Sequence, residues 1–373
     1  LRAAQRSAAC GRGSAAAAAA FQQEECQVHQ NRSEDAQVDA VAGRSLEGLL
    51  AIEKNSIAPA PALRSSRVNA TWRRRVVTWF SSVIQALSRR DDTERPDRGV
   101  VDQLLFRRLA IHNAVHLLDS HIMMCDEQQS IQFRNSSAYQ ILATACLQLG
   151  LRLAKNHIDD MLRNDAARQV QEECQGLHRS NRVENLVDVG EAVGNTADSF
   201  FSFQVPTAEE ILRLSTVPGS MSEKQLIRML GEITETSRSS LKLMATAPLF
   251  IDAGCRRLTT TSDSLTFSQA EANEALRLAD AYLLDSTSAL VRPSVVACAA
   301  ITVAIRKASQ EDLLSLRRKV HRKIFGHLSD SSRLREARKV EARLQSHAMR
   351  SSRHRQQPRR ENINEAHLIS LDD

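Results

Sequence analysis

An all-α fold is predicted by three features of this sequence. Apolar residues recur at three- and four-residue steps, helix-start signals precede those runs, and residues that build sheets and tight turns are scarce. Aromatics are only 4% of the 373 residues, with 13 glycines and 8 prolines, and no convincing alternating strand is present. The net charge of +6 is mild and does not by itself imply a nucleic-acid partner. No apolar run is long enough to cross a membrane. The seven cysteines are odd in number and scattered without a CxxC pair, which predicts free thiols in a reducing compartment and no structural zinc.

Residues 1–70 are expected to be a flexible, low-complexity tail around the alanine tract Ala15–Ala20. Within it, Leu46, Leu49, Leu50 and Ile52 could make one short helix. The stripe Val101, Leu104, Leu105, Ile111, Val115, Leu118, Ile122 predicts a long helix, as does Tyr139, Leu142, Ala143, Cys146, Leu149, Leu153. Lys155–Val205 separates two helical blocks and reads as a polar insertion, with Asp160–Leu177 able to form a helix of its own. Thr207–Glu210, Ser222–Gln225 and Ser268–Glu271 are three capping boxes, and Phe267 sits where a hydrophobic staple would place it. Leu226, Met229, Leu230, Ile233 and Leu241 continue the helical period, and so does the segment Ala275–Leu284. Residues 349–373 form a second tail, basic through Arg350, Arg353, Arg355, Arg359 and Arg360.

An internal echo suggests two similar helical units. Leu117-Leu118-Asp119-Ser120 recurs as Leu283-Leu284-Asp285-Ser286, each expected at the end of a long helix. Each is followed by a helix rich in small residues, Ala143-Thr144-Ala145-Cys146 and Ala297-Cys298-Ala299-Ala300. Small side chains let neighbouring helices approach closely, which suits the centre of a bundle.

Catalytic signatures are missing. Gly11-Arg12-Gly13 lacks the preceding strand and third glycine of a nucleotide loop. His112 and His116 are four apart but have no third metal ligand near them, so a structural role is expected. Ser137 and Ser294 open helices and are read as caps, and Cys146 and Cys298 as inert small hydrophobes. No catalytic residue, cofactor or metal site is predicted; the chain reads as a binding protein.

Residues Arg73-Arg74-Arg75-Val76-Val77-Thr78-Trp79-Phe80 resemble the opening of the cyclin box. Leu109–Asp119 resembles the second box helix, Tyr139–Leu147 the third, Pro206–Ile211 the fourth and Gln225–Met229 the fifth. Pro293–Ala300 is similar to the PSxxAxAA helix of the C-terminal cyclin fold. The resemblance spans about Trp72–Gln310. It implies two tandem five-helix cyclin-type domains, 71–246 (carrying the insertion 155–205) and 247–348, between the two tails.

Carried over residue by residue, the resemblance implies a structural ion pair between Arg73 and Asp119. The kinase-binding face falls on Arg152, Leu153, Leu230 and Ile233. Arg152 stands where the family has lysine and Leu230 where it has glutamate, so that face has diverged. A substrate-docking groove falls on Trp72, Val76 and Trp79, with Arg75 replacing an apolar residue. The implied function is a regulatory subunit that binds and activates a cyclin-dependent Ser/Thr kinase in cell-cycle control, in the nucleus or cytoplasm, with substrate docking peptides as further partners. Nucleic acid and membrane are not expected as partners. Two alternatives stand beside it: a helical scaffold that acts without a kinase, and a tandem cyclin-fold protein of the transcription factor IIB type.

Overall fold

The computed structural model describes residues 45–55, 69–94, 100–124, 135–179, 203–214, 222–236, 244–260, 268–308, 313–325 and 331–356. Among these, every regular element is a helix. They are α1 (Leu46–Asn55), α2 (Ala70–Glu94), α3 (Val100–Met124), α4 (Ser136–Arg179), α5 (Ala208–Leu214) and α6 (Glu223–Thr236). They continue as α7 (Ala247–Thr260), α8 (Gln269–Leu283), the 3-10 helix η1 (Ser286–Leu290), α9 (Pro293–Ala308), α10 (Leu313–Phe325) and α11 (Ser331–Gln356). No described helix is long and apolar enough to cross a membrane.

All three capping boxes form. Glu210 accepts from the Thr207 N–H at 2.9 Å while Thr207 Oγ1 accepts from the Glu210 N–H at 3.2 Å. Ser222 and Gln225 exchange the same bonds at 2.9 and 3.3 Å, and Ser268 and Glu271 at 2.6 and 3.4 Å. Phe267 and Leu241 lie outside the described residues.

Two small-residue helices organise the packing. α4 packs against α3, α5 and α6, and α9 against α7, α8, α10, α11 and α1. Tyr139, Leu142, Ala143, Ala145 and Cys146 of α4 are buried, as are Val295 through Ile301 of α9. Gly150 shows why α4 needs small residues. A Cβ there would meet the Ala110 carbonyl oxygen at 2.7 Å and the Ala114 nitrogen at 2.8 Å. Backbone cannot move away as a flexible side chain could, so α3 and α4 come this close only because the position is glycine.

Five expectations are corrected. α4 does not stop at Ala154; it runs on to Arg179, so half of the expected 155–205 insertion is a continuation of the central helix. Ile158 and Asp159 are buried there, and Lys155 pairs with Asp159 at 2.6 Å. Inside the expected N-terminal tail, α1 is a docked part of the core: Leu46 and Leu49 are buried, and Arg257 of α7 donates to Glu47. Ser294 does not cap α9 with its own side chain. Its N–H and Oγ both donate to the buried Glu53 of α1, at 2.8 and 2.6 Å, so a carboxylate from another helix fills the cap. Ser137 likewise yields to Asn135, whose Oδ1 accepts from the Ser137 N–H at 3.0 Å. At the other end, α11 passes the expected domain end at 348 and runs to Gln356.

Candidate functional site

The geometry centres on Arg73, whose position is set by a capped helix start. Asn69 Oδ1 accepts from the N–H groups of Thr71 and Trp72 at 3.1 and 3.0 Å, opening α2. Arg73 then points inward and is only 1% exposed. Its Nε and Nη2 donate to the two oxygens of Asp119 at 2.8 and 2.7 Å, a bidentate pair. The remaining donors reach the other copy of the echo. Nη1 donates to the carbonyls of Leu283 and Asp285, the latter at 3.2 Å, and Nη2 donates to Ser288 Oγ at 2.8 Å. One guanidinium therefore joins α2, α3, the end of α8 and η1. Burial pulls the Arg73 pKa down, but Asp119 outweighs it by charge and hydrogen bonding, so the net direction is up.

A second link lies nearby. Arg108 of α3 donates to Asp280 of α8 at 2.9 Å, and the buried His112 meets the same carboxylate at 3.1 Å. The structural role expected for His112 is thus played against Asp280. A cavity of about 90 Å³ beside these links is lined by Arg73, His116, Asp119, Thr246, Tyr282 and Ser288, among others. Burial lowers the pKa of His116, with Asp119 acting in the opposite direction. Burial pushes the thiols of Cys146, Cys255 and Cys298 upward, which leaves them protonated and unreactive at neutral pH. Among the described residues no group of histidines, cysteines and carboxylates could hold a metal ion.

Neither a scan against protein-family models nor a search of curated proteins finds a match for the chain.

The other expected site residues divide. Arg152 is exposed on α4 and Leu153 is half-buried beside it. Leu230 is half-buried on α6, which packs against α4. Ile233 is a correction: it is 0% exposed, so it packs in the core and presents nothing to a partner. Glu232, near Leu230, is held by Arg228 at 2.9 Å along the same helix. In the expected docking groove, Val76 is also a correction, being 3% exposed and part of the core. Trp72 and Trp79 are half-buried. Trp72 lies against Tyr139 with ring centroids 5.5 Å apart, and Trp79 lies 5.5 Å from Phe80.

Sequence reasoning missed the contacts of Arg73 with Leu283, Asp285 and Ser288, and the Asp280 and Glu53 links. The signal available for the first was the echo itself, since both copies of Leu-Leu-Asp-Ser converge on this arginine.

Proposed function

We propose that the chain is a cyclin-like regulatory subunit that binds and activates a cyclin-dependent Ser/Thr protein kinase. In this reading α2–α6 and α7–α11 are two tandem five-helix cyclin-type domains. The observation that carries it is the buried, bidentate Arg73–Asp119 pair at the two positions where the box resemblance puts an arginine and an aspartate. The subunit does no chemistry. It binds beside the kinase's mobile regulatory helix and favours the state in which the catalytic lysine–glutamate pair and metal-binding aspartate are assembled. Its effect is limited by its differential affinity for that state. The contact surface is Arg152 with Leu153 and Leu230, on neighbouring helices α4 and α6.

Purified protein is incubated with extract of the source organism, and captured kinase is assayed for phosphorylation of a protein substrate. Wild-type protein is expected to recover active kinase, and Arg152→Glu to recover none while melting at the wild-type temperature. An Arg152→Glu variant that activates normally overturns this surface. Leu230, where the family has glutamate, favours a second reading, a helical scaffold without kinase activation. Recovery of kinase in an inactive state would support it.

A further inference from the structure

The net charge of +6 conceals an uneven distribution. On the described parts of α2–α9, several exposed arginines are matched by an acid one turn away: Arg213 with Glu209 at 2.5 Å, Arg228 with Glu232 at 2.9 Å, Arg256 with Asp252 at 2.5 Å. The surface of α9–α11 is built differently. Arg306 at the end of α9, Arg318 and Arg322 on α10, and Arg335, Arg338 and Lys339 on α11 are all exposed. Among the described residues of α10 and α11 no acid is exposed: Glu336 is half-buried, and Glu341 is buried and held by Arg317 at 2.6 Å. Arg306 and Arg338 act on that same Glu341 carboxylate, so the three helices bring their cations together around it.

Like charges one turn apart destabilise a helix. Arg318 with Arg322, and Arg335 with Lys339, carry that repulsion; the half-buried Glu336 acts on Lys339 and relieves the second pair in part, and no acid is exposed among the described residues of either helix. An anionic partner would relieve it. The shape of the face narrows the choice. α11 is 26 residues long, about 39 Å of straight rod at 1.5 Å per residue. Its described exposed cations, Arg335, Arg338, Lys339 and Arg343, recur at three- and four-residue steps over about 12 Å of that rod. Leu316, Val320, Val340 and Leu344 are buried, and Leu314 is the exposed exception, so the described side chains of these helices offer no apolar face to insert into lipid. No exposed aromatic stands among the described side chains of α10 and α11, so there is no platform on which single-stranded bases would stack.

We propose that the α10–α11 face binds the phosphate backbone of double-stranded nucleic acid, without sequence preference. This departs from the expectation that nucleic acid is not a partner, and it stands independently of the kinase reading. The partner's contribution is release of condensed counterions, so affinity depends steeply on salt.

Full-length protein is titrated into a fluorescent random-sequence DNA duplex and followed by anisotropy at several salt concentrations. With about four phosphates neutralised, affinity is expected to fall roughly a hundredfold between about 50 and 200 mM salt. Arg318→Glu with Arg322→Glu, and separately Arg335→Glu with Lys339→Glu, are each expected to weaken binding at least tenfold while melting as wild type, since all four side chains are exposed. Three results would overturn the proposal: no salt-dependent duplex binding, undiminished binding by both double variants, or equal affinity for poly-glutamate at matched salt.

Discussion

The residues Leu-Leu-Asp-Ser occupy 117–120 and 283–286, and the two copies meet different ends. In the first copy, α3 continues past Ser120 to Met124, against the expectation that the motif ends its helix. The Asp119 backbone is satisfied within the helix, and its carboxylate is left to take Arg73. In the second copy α8 ends at Leu283. Asp285 then caps η1, its Oδ1 accepting from the N–H of Thr287 at 2.9 Å and from its hydroxyl at 2.8 Å. Here the side chain is spent locally, and it is the carbonyls of Leu283 and Asp285, near the helix end, that accept from Arg73. A repeated sequence thus supplies one guanidinium with a carboxylate on one side and backbone on the other. Whether the helix continues decides which.

That contrast can be broken by mutation, and the largest effect belongs to the first copy. Asp119→Ala leaves a buried guanidinium without its counter-charge and is expected to cost about 3–5 kcal/mol in urea unfolding. Asp285→Ala removes a cap and is expected to cost about 1 kcal/mol. Equal costs would show that the two aspartates do the same job after all.

Two helical glycines, Gly150 and Gly231, give a parallel test. Gly150→Ala drives a methyl against α3 backbone and is expected to destabilise by about 1–3 kcal/mol. Gly231→Ala, with nothing within 4 Å of the added Cβ, is expected to stabilise by about 0.5–1 kcal/mol. A destabilised Gly231→Ala would show a neighbour that the structure does not place there.

The smallest effect is in pH. Burial lowers the pKa of His116 and of His121, with Asp119 and Glu232 opposing. The unfolded chain therefore takes up those protons first, and stability is lost as pH falls below about 6.5. Asp160, Glu336 and Glu341 are shifted upward by burial and give the opposite slope, losing stability as pH rises through their raised values. The readout is therefore the difference between wild type and His116→Gln across pH 5–7. The variant is expected to lose less stability on acidification. An unchanged profile would mean that His116 titrates alike in both states.

Much of the helical order was legible. Capping boxes at Thr207, Ser222 and Ser268 are local in sequence and formed as read, and the small-residue runs did mark the buried helices. The pairing of Arg73 with Asp119 was legible only through family resemblance, because nothing local links residues 46 positions apart. Three features were hidden for physical reasons. The polar segment Asp160–Leu177 is helical as expected, but its polarity set it apart as an insertion and hid that it continues α4, although no proline or glycine interrupts the chain from Lys155 until Gly176. The docking of α1 depends on Glu53 meeting Ser294 across 241 positions. Val76 and Ile233 lie on apolar stripes, and a stripe does not reveal which of its residues face the core and which face a partner.

The most direct measurement is urea unfolding of Arg73→Lys. Lysine keeps the charge but cannot hold Asp119 in a bidentate pair while also reaching Leu283, Asp285 and Ser288. If a single planar fork joins both copies of the motif, the variant loses about 2 kcal/mol or more. A loss below about 0.5 kcal/mol, the range of an ordinary surface substitution, would contradict it.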